Sequence, residues 1–413
     1  MRFAVEGFAR RLALLAVAAL AIRLAYALGV MHGIGVGGDG QEFHELANGI
    51  AADGRYRAPL LPGGAGGQVT ADKPPLYPLY LAGPSLAGLT SVAAHRAASC
   101  LLGTLTVVAA GLLGRRVAGE RAGLVAAGLA GLYPMLVVLD GALRSEALYA
   151  PLVAFSLLAA YRLVDRPGAG RAAFLGALLG LATLTRSEAL LLLPLLVAPT
   201  LWLVPRGARL RLAAVTAAAC LLVIAPWLVR NQAVFGAPLL STNFGSLVYG
   251  ANCDAAYGGE LIGGWPCFPP RLPGARDDER AFASRLRTRG VDYARDHTGR
   301  LPAVVAVRIL RSAELWDPWD QAALEHGIAD RDLTAERAGL LAYYPLAALA
   351  VYGALVLRRR VQPLRILLAP FALVLVVSAL AYGSTRFRAP AEAPLTVLAA
   401  VALVELLPRA RLA

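Results

Sequence analysis

Hydrophobic positions fall into ten long runs, at 8–30, 94–114, 121–139, 147–163, 171–185, 187–204, 210–229, 339–357, 363–382 and 388–407. Runs of this kind, wound as helices, cross about 30 Å of hydrocarbon. The pattern therefore predicts an all-α polytopic membrane protein of about ten transmembrane helices. The stretch 172–204 needs a decision, because one helix of that length would reach about 50 Å. Thr185-Arg186-Ser187-Glu188 interrupts it, so we read two short spans forming a hairpin. Two polar stretches remain, 31–93 and 231–338. The first contains Pro74, Pro75, Pro78 and Pro84, too dense for a regular helix, and the run 74–84 reads as a re-entrant or interfacial helix rather than a span. The second contains an amphipathic stretch at 301–316 with Arg308 and Arg311, which fits a helix lying on the membrane surface.

Composition agrees: 58% of residues are hydrophobic and 16% charged, against about 25% charged in soluble domains. A disordered chain, a disulfide-rich miniprotein and an ordinary cytosolic enzyme are excluded. The net charge of +13 would suit nucleic acid if it were gathered in one patch. Instead it is split among separate turns. With a cytoplasmic N-terminus the inner ends carry Arg10 and Arg11, then Arg115, Arg116 and Arg121, then Arg162, Arg166 and Arg171. The series continues with Arg206, Arg209 and Arg211, then Arg358 to Arg360 with Arg365, then Arg409 and Arg411. Every short inner loop is basic, as the positive-inside bias requires. Merging the hairpin into one span would move the 206–211 cluster outside. Ala25-Tyr26-Ala27 mimics a cleavage site, but Arg23 interrupts the apolar run before it, so an uncleaved first span is expected. Cys100 and Cys220 sit in apolar runs and read as core residues. Cys253 and Cys267 sit in the polar stretch, where a disulfide would close about 15 residues and stabilise the loop by about 3 kcal/mol.

The charges on the outer side run against this bias and are candidates for function. They are Asp39, Glu42, Asp72 and Lys73 in the first loop, Arg144 with Glu146, Arg186 with Glu188, and Arg386 with Arg388. Lys73 is the only lysine in the chain. A lone charge at such a place is more often a solvated anchor. Four separate turns that each offer a cation, three of them with an acid close by, point instead to a site for an anionic head group. Arg matches phosphate oxygens with a planar fork, and Lys supplies a compact charge. Such cations stabilise charge that develops on a departing phosphate. A carboxylate such as Asp39 can take a proton from an attacking hydroxyl.

The residues that carry this reading form an ordered series: Asp39 with Glu42, Gly54-Arg55-Tyr56, Asp72-Lys73-Pro74-Pro75-Leu76-Tyr77-Pro78, Arg144-Ser145-Glu146-Ala147, Thr185-Arg186-Ser187-Glu188-Ala189, Asn252-Cys253-Asp254 and Arg386-Phe387-Arg388-Ala389-Pro390. The series resembles the family 39 membrane glycosyltransferases of the GT-C superfamily, a group that includes protein O-mannosyltransferases and the lipid A aminoarabinose transferase. The resemblance is strongest over 35–85 and thin over 255–335. It implies a catalytic acid at Asp39. Where family members carry two adjacent acids, Gly40 follows Asp39 here, and Glu42 is left as the second acid. It implies that Asp72 and Lys73 sit near the donor phosphate, that Glu146 faces the cavity, and that Arg186 is the basic residue of the hairpin. In the aminoarabinose transferase the acid matching Asp72 helps hold a metal with a distant histidine. The counterparts here would be Asp72 with His44, His297 or His326, each of which also reads as an ordinary surface or interface residue.

The expectation is a GT-C-type glycosyltransferase that takes sugar from a polyprenyl-phosphate-linked donor, with a divalent metal as an optional cofactor. Its catalytic acids are Asp39 and Glu42. Its donor-phosphate ligands are Lys73, Arg144, Arg186, Arg386 and Arg388, and its cavity acids are Asp72, Glu146 and Glu188. Residues 1–230 form the catalytic transmembrane module, 231–338 an extracytoplasmic loop region with an interfacial helix, and 339–413 the last transmembrane helices. Tyr249, Tyr257 and Trp265 in the loop either stack on sugar or pack within it. The acceptor is a protein, lipid or cell-wall hydroxyl, and the expected location is the plasma membrane of a high-GC bacterium with both termini cytoplasmic. The competing class is a secondary transporter or flippase of an anionic glycolipid. It finds support in the broken 171–204 run but not in any internal repeat.

Overall fold

The computed structural model describes residues 2–59, 66–269, 279–329, 331–360 and 362–407. Arg409 and Arg411 lie outside them. The chain is a succession of helices: α1 (Arg2–Leu28), α2 (Gly38–Asp53), α3 (Leu76–Leu86), α4 (Val92–Ala118), α5 (Glu120–Leu132), α6 (Pro134–Gly141), α7 (Glu146–Asp165), α8 (Ala169–Thr185) and α9 (Ala198–Trp202). It continues with α10 (Arg206–Phe235), α11 (Phe244–Gly250), α12 (Asp254–Tyr257), α13 (Glu279–Asp296), α14 (Leu301–Ser312), α15 (Pro318–Ala329), α16 (Leu333–Arg359), α17 (Leu364–Leu380) and α18 (Ala389–Leu406). Among the described residues, six helical stretches are long and apolar enough to cross a membrane. A seventh is the bent pair α5 and α6, and three shorter apolar segments, Ala169–Thr185, Ser187–Trp202 and Leu364–Leu380, occupy the other predicted runs.

Local chemistry sets the ends. Ser91 caps α4 by accepting from the Ala94 amide at 3.2 Å, and Asp332 caps α16 by accepting from the Ala335 amide at 2.7 Å. α18 is the axial helix, buried along most of its length. Small residues let backbones approach, as is usual where apolar helices pack. A methyl group added at Gly353 of α16 would lie 1.9 Å from the Leu398 carbonyl of α18, and one at Gly176 of α8 would lie 2.1 Å from the Thr216 carbonyl of α10.

The structure departs from three expectations. The Pro-rich run is a regular helix, α3. Pro74 precedes it, Pro75 is its N-cap and Pro78 lies in its first turn, where amides have no intrahelical acceptor, and the one interior proline, Pro84, falls in its last turn. The run 121–139 is not one straight helix but bends by 53° between α5 and α6. Pro134 lacks the amide that would bond the Ala130 carbonyl. Finally, α14 does not turn its arginines to a surface. Arg308 and Arg311 are both buried. Arg308 donates to the Ala251 carbonyl at 2.6 Å, and Arg311 donates to the Ile262 carbonyl at 2.7 Å. They are the clamps that tie α14 to the 250–263 segment, which the Cys253–Cys267 disulfide also closes.

Arg23 shows how a charge is kept within α1. Its Nη2 donates to the Ala130 carbonyl orphaned by Pro134, at 3.0 Å, and its Nη1 donates to the Gly131 carbonyl at 3.1 Å. Its Nε meets the Asp140 carboxylate at 2.7 Å, with both side chains buried. Gly103 leaves the space for that carboxylate, since an added methyl would fall 1.7 Å from Asp140 Oδ2. Removing one partner of a buried pair leaves an uncompensated charge. We therefore expect Arg23→Met and Asp140→Leu each to destabilise the protein by about 3–5 kcal/mol and the double substitution to cost less than either. Unfolding of the detergent-solubilised chain checks this.

Candidate active site

Five segments meet at one end of the bundle: the start of α2, the loop before α3, the turn from α6 to α7, the break after α8, and the turn before α18. α2 delivers Asp39 and Glu42 from its first turns, and the other four segments break regular structure where they deliver a charge. Leu143 takes a left-handed conformation (φ 49°), uncommon and costly for a bulky residue, and the next residue is Arg144. Arg186 is extended between α8 and a 3₁₀ turn at Ser187–Leu191. Arg386 lies in a 3₁₀ turn, Thr385–Arg388, whose start Ser384 caps by accepting from the Arg386 amide at 3.2 Å.

The segments are joined through Asp39. Lys73 Nζ contacts Asp39 Oδ1 at 2.8 Å, and Arg144 Nη1 and Arg386 Nη2 both reach Asp39 Oδ2 at 2.9 Å. Lys73 also meets Glu42 at 3.0 Å and Asp72 at 3.1 Å. Arg386 Nε turns to Glu146 Oε1 at 2.7 Å, where Arg186 Nη1 arrives at 2.8 Å. Arg186 Nε then meets Glu188 at 2.5 Å. One connected network thus holds nine of the sequence-predicted site residues.

Its electrostatics follow from the contacts. Burial alone would raise the Asp39 pKa, but Lys73, Arg386 and Arg144 together hold it well below the usual carboxylate range. Burial would lower Lys73, yet Asp39, Asp72 and Glu42 hold its ammonium well above its ordinary value. Glu42 is raised, first by burial and then by repulsion from Asp72 and Asp39, against the attraction of Lys73. The cluster has an inside and an outside. Glu42 and Asp72 side chains are 40% exposed, whereas Arg144 is 1% and Glu146 0% exposed. The acids form an open mouth over a floor of cations. Beside that floor Arg186, Arg386, Glu188, Tyr149 and Phe387 meet the apolar Leu373, Val377 and Pro390 in a closed seam with no room for a water molecule.

Arg388 is not part of this network. It points to the other side of its turn, to Glu392 at 3.0 Å and Glu314 at 3.4 Å, with its guanidinium 3.8 Å from the Tyr343 ring centroid. Behind the same turn, and equally buried, Arg331 pairs with Glu336 and lies 3.8 Å from Glu325. The histidines do not join Asp72. His44 bonds His95 at 3.0 Å, His297 stacks on Tyr293, and His326 meets the Arg331 carbonyl at 2.5 Å. Among the described residues no group of three His, Cys, Asp or Glu side chains is arranged to hold a metal ion. Where Asp39, Glu42 and Asp72 converge, the Lys73 ammonium already fills the centre, so these residues do not fit a metal.

Several supports carry no signal in local sequence. The Tyr56 hydroxyl donates to the Lys73 carbonyl at 3.0 Å, and the Ser241 hydroxyl to the Asp72 carbonyl at 2.5 Å. Arg230 donates to the Thr70 carbonyl at 2.7 Å, and Glu279 accepts from the Ala71 amide at 2.9 Å. Of the loop aromatics, Tyr257 is buried and bonded to Asn252 at 2.8 Å. Trp265 donates to the Ser246 carbonyl at 3.1 Å.

No curated protein matches the chain in sequence. Residues 72–229 match the family described as dolichyl-phosphate-mannose-protein mannosyltransferase. Among solved structures, the archaeal oligosaccharyltransferase AglB from Archaeoglobus fulgidus, in complex with an inhibitory peptide and a dolichol-phosphate, superposes with a TM-score of 0.57 at 17% identity. The overlap covers 98% of this chain and 51% of that one. The chain has a GT-C-type membrane fold. The apo form of the Archaeoglobus fulgidus oligosaccharyltransferase gives 0.58 at 16% identity, over 96% of this chain and 50% of that one. ArnT from Cupriavidus metallidurans bound to undecaprenyl phosphate gives 0.45 at 18% identity, over 95% of this chain and 77% of that one. The GT-C-type chain thus spans about half the length of the oligosaccharyltransferases it matches.

Asp39 gives the network its pH dependence. Its folded-state pKa is depressed, so its stabilisation is present above the unfolded value near 4 and is lost as pH falls through the folded value. Asp39→Asn should destabilise the chain by about 2 kcal/mol at neutral pH. The difference from wild type should shrink below about pH 4. Paired unfolding curves at both pH values measure it.

Proposed function

We propose that the chain is a glycosyltransferase. It moves a sugar from a polyprenyl-phosphate-linked donor to an acceptor hydroxyl on the extracytoplasmic side, by a single inverting displacement. The observation that carries this reading is the convergence of two approaches on Arg386 and Asp39. One is the seam where the apolar Leu373, Val377 and Pro390 meet the cationic Arg186 and Arg386, closed without donor and opened as the donor enters. A lipid phosphate combines these two characters, an apolar tail and an anionic head. The other is the acid-rimmed mouth at Asp39, Glu42 and Asp72, open to polar acceptors. The family match over 72–229 supports the same class of chemistry.

Without donor, both Asp39 oxygens are held by cations, and a carboxylate so held is a poor base. The donor phosphate competes for the same cations. As it draws Arg386 and Lys73 toward itself, Asp39 loses the fields that depress it and gains proton affinity. The acceptor oxygen then forms a bond to the anomeric carbon while the bond from that carbon to the phosphate oxygen breaks. The hydroxyl proton passes to Asp39. The leaving phosphate goes from one negative charge to two, and Lys73, Arg186 and Arg386 are placed to stabilise the added charge. Glu146, shared by the two arginines, holds them side by side.

The test is transfer of labelled sugar out of a polyprenyl-phosphate pool in membranes, at matched protein levels. Lys73→Ala, Arg386→Ala and Asp39→Asn should each lower transfer by about 10²–10³-fold, with the protein still folded. Transfer that survives all three would place the chemistry elsewhere. Wild-type transfer no higher than in membranes lacking the protein, across a panel of sugars, would turn the reading toward a transporter of an anionic glycolipid.

A further inference from the structure

On the face of α2 away from the network, four side chains from three helices close a ring. Asn48 Nδ2 lies 3.3 Å from His44 Nε2, His44 Nδ1 lies 3.0 Å from His95 Nδ1, His95 Nε2 lies 2.8 Å from Ser85 Oγ, and Ser85 Oγ lies 2.8 Å from Asn48 Oδ1. An amide nitrogen only donates and an amide oxygen only accepts. Asn48 Nδ2 therefore donates to His44 Nε2, and the Ser85 hydroxyl donates to Asn48 Oδ1. That leaves His44 Nδ1–H donating to His95 Nδ1, and His95 Nε2–H donating to Ser85 Oγ. The tautomers follow from this circuit. Its four bonds run in one sense, an arrangement in which each bond polarises the next. The second hydrogen of the Asn48 amide goes to the Thr90 carbonyl at 3.1 Å.

The circuit closes only when both imidazoles are neutral. A proton on His44 Nε2 would face the Asn48 amide hydrogens, and a proton on His95 Nδ1 would face the His44 N–H. The surroundings do not favour the charged form. His95 and Ser85 are buried, and burial lowers the His44 pKa against the opposing field of Glu45. Glu45 accepts from Gln41 at 2.6 Å. From α4, the neighbouring Arg96 is turned away, toward the Met31 carbonyl at 2.5 Å. From α3, the ring meets only Ser85.

We propose that this ring is the positioning device for α2, and that α2 comes loose when either histidine takes a proton. The geometry gives the ring leverage. Asp39 and Glu42 lie in the first turns of α2, and His44 and Asn48 follow on the same helix. His44 is five residues beyond Asp39, about 7.5 Å along the axis. At the other end the fit is tight, because a methyl group added at Gly40 would lie 3.1 Å from the Ala142 carbonyl beside the Arg144 turn. A small tilt of α2 therefore changes how Asp39 meets Lys73, Arg144 and Arg386. The ring links Asp39 placement to acidity at the same end of the bundle, through groups that touch neither donor nor acceptor. Its effect on transfer rests on the proposed function, whereas its effect on α2 does not.

The experiment compares full-length wild type with the double variant His44→Gln/His95→Gln, whose amides can donate and accept but do not titrate. Thermal unfolding and sugar transfer are both followed from about pH 7.5 to about pH 5.5. A histidine whose folded-state proton affinity is depressed gives stability that is present above its unfolded pKa and is lost as pH falls below it. Wild type should therefore lose melting temperature on acidification, and the double variant should lose measurably less. Wild-type transfer should fall later, toward and below the acid end of that interval where the depressed histidines begin to take protons, in turnover more than in donor KM, and the variant should hold its pH 7.5 rate. His95→Ala, which opens the circuit at every pH, should show the acid-like defect at pH 7.5. Parallel melting curves for wild type and double variant would overturn the proposal. An absence of transfer in every protein, with the melting difference present, would retire the transferase reading and leave the ring standing.

Discussion

A carboxylate set among packed segments must be neutralised, and in this chain the neutralisation of Asp39 decides what the surrounding segments do. Three cations are needed on two oxygens, and no single helix could bring them there. Lys73 comes from the loop before α3, Arg144 from the turn between α6 and α7, and Arg386 from the turn before α18. A desolvated charge costs several kcal/mol unless it is paired, so each of these turns is held to within hydrogen-bond distance of the others. The loop 70–73 is pinned from outside by Arg230, Ser241 and Glu279 for the same reason. Without those bonds Lys73 would have a flexible backbone and a fixed partner.

The breaks in the helices follow from the same constraint. Irregular backbone at membrane depth survives only where something satisfies its freed polar groups. At the α5–α6 bend that partner is Arg23, which takes the Ala130 carbonyl left open by Pro134 and the adjacent Gly131 carbonyl. At the turn before α18 it is Ser384. The bend lets α6 end beside α2, so that Leu143 and Arg144 turn inward. The departure of Leu143 from ordinary backbone geometry is the local cost of aiming Arg144 at Asp39.

This division explains what sequence could and could not reveal. The apolar runs and the break at Arg186 are legible because hydropathy is local and a charge inside a run is conspicuous. The acids of the first loop are legible for the same reason. Partnerships are not, since Asp39 meets residues 34, 105 and 347 positions away and no period connects them. The Pro-rich run misled because Pro74, Pro75 and Pro78 fall before or in the first turn of α3, where proline costs little, and Pro84 falls in its last turn. Arg308 and Arg311 misled because an amphipathic pattern does not say whether the polar face meets water or carbonyl oxygens. Arg388 misled for a geometric reason: two residues apart in a 3₁₀ turn, Arg386 and Arg388 point to different sides.

That turn separates two clusters of opposite character. Behind it, Arg388, Arg331, Glu314, Glu325, Glu336 and Glu392 are all buried. In front of it, Asp39 keeps 27% exposure and Glu42 and Asp72 keep 40%. Both clusters are dense in charge, and composition cannot rank them. Access can. A ligand phosphate displaces a carboxylate from an arginine only where the displaced group can be rehydrated or protonated from water. The sealed cluster has no such route, so its pairs fix the position of the turn and of α16 against α18. The open cluster has one on its acid side, and its cationic side borders a closed apolar seam. On the proposed reading Arg386, held by Glu146 and by the turn it shares with the anchored Arg388, is the cation that exchanges Asp39 for another anion.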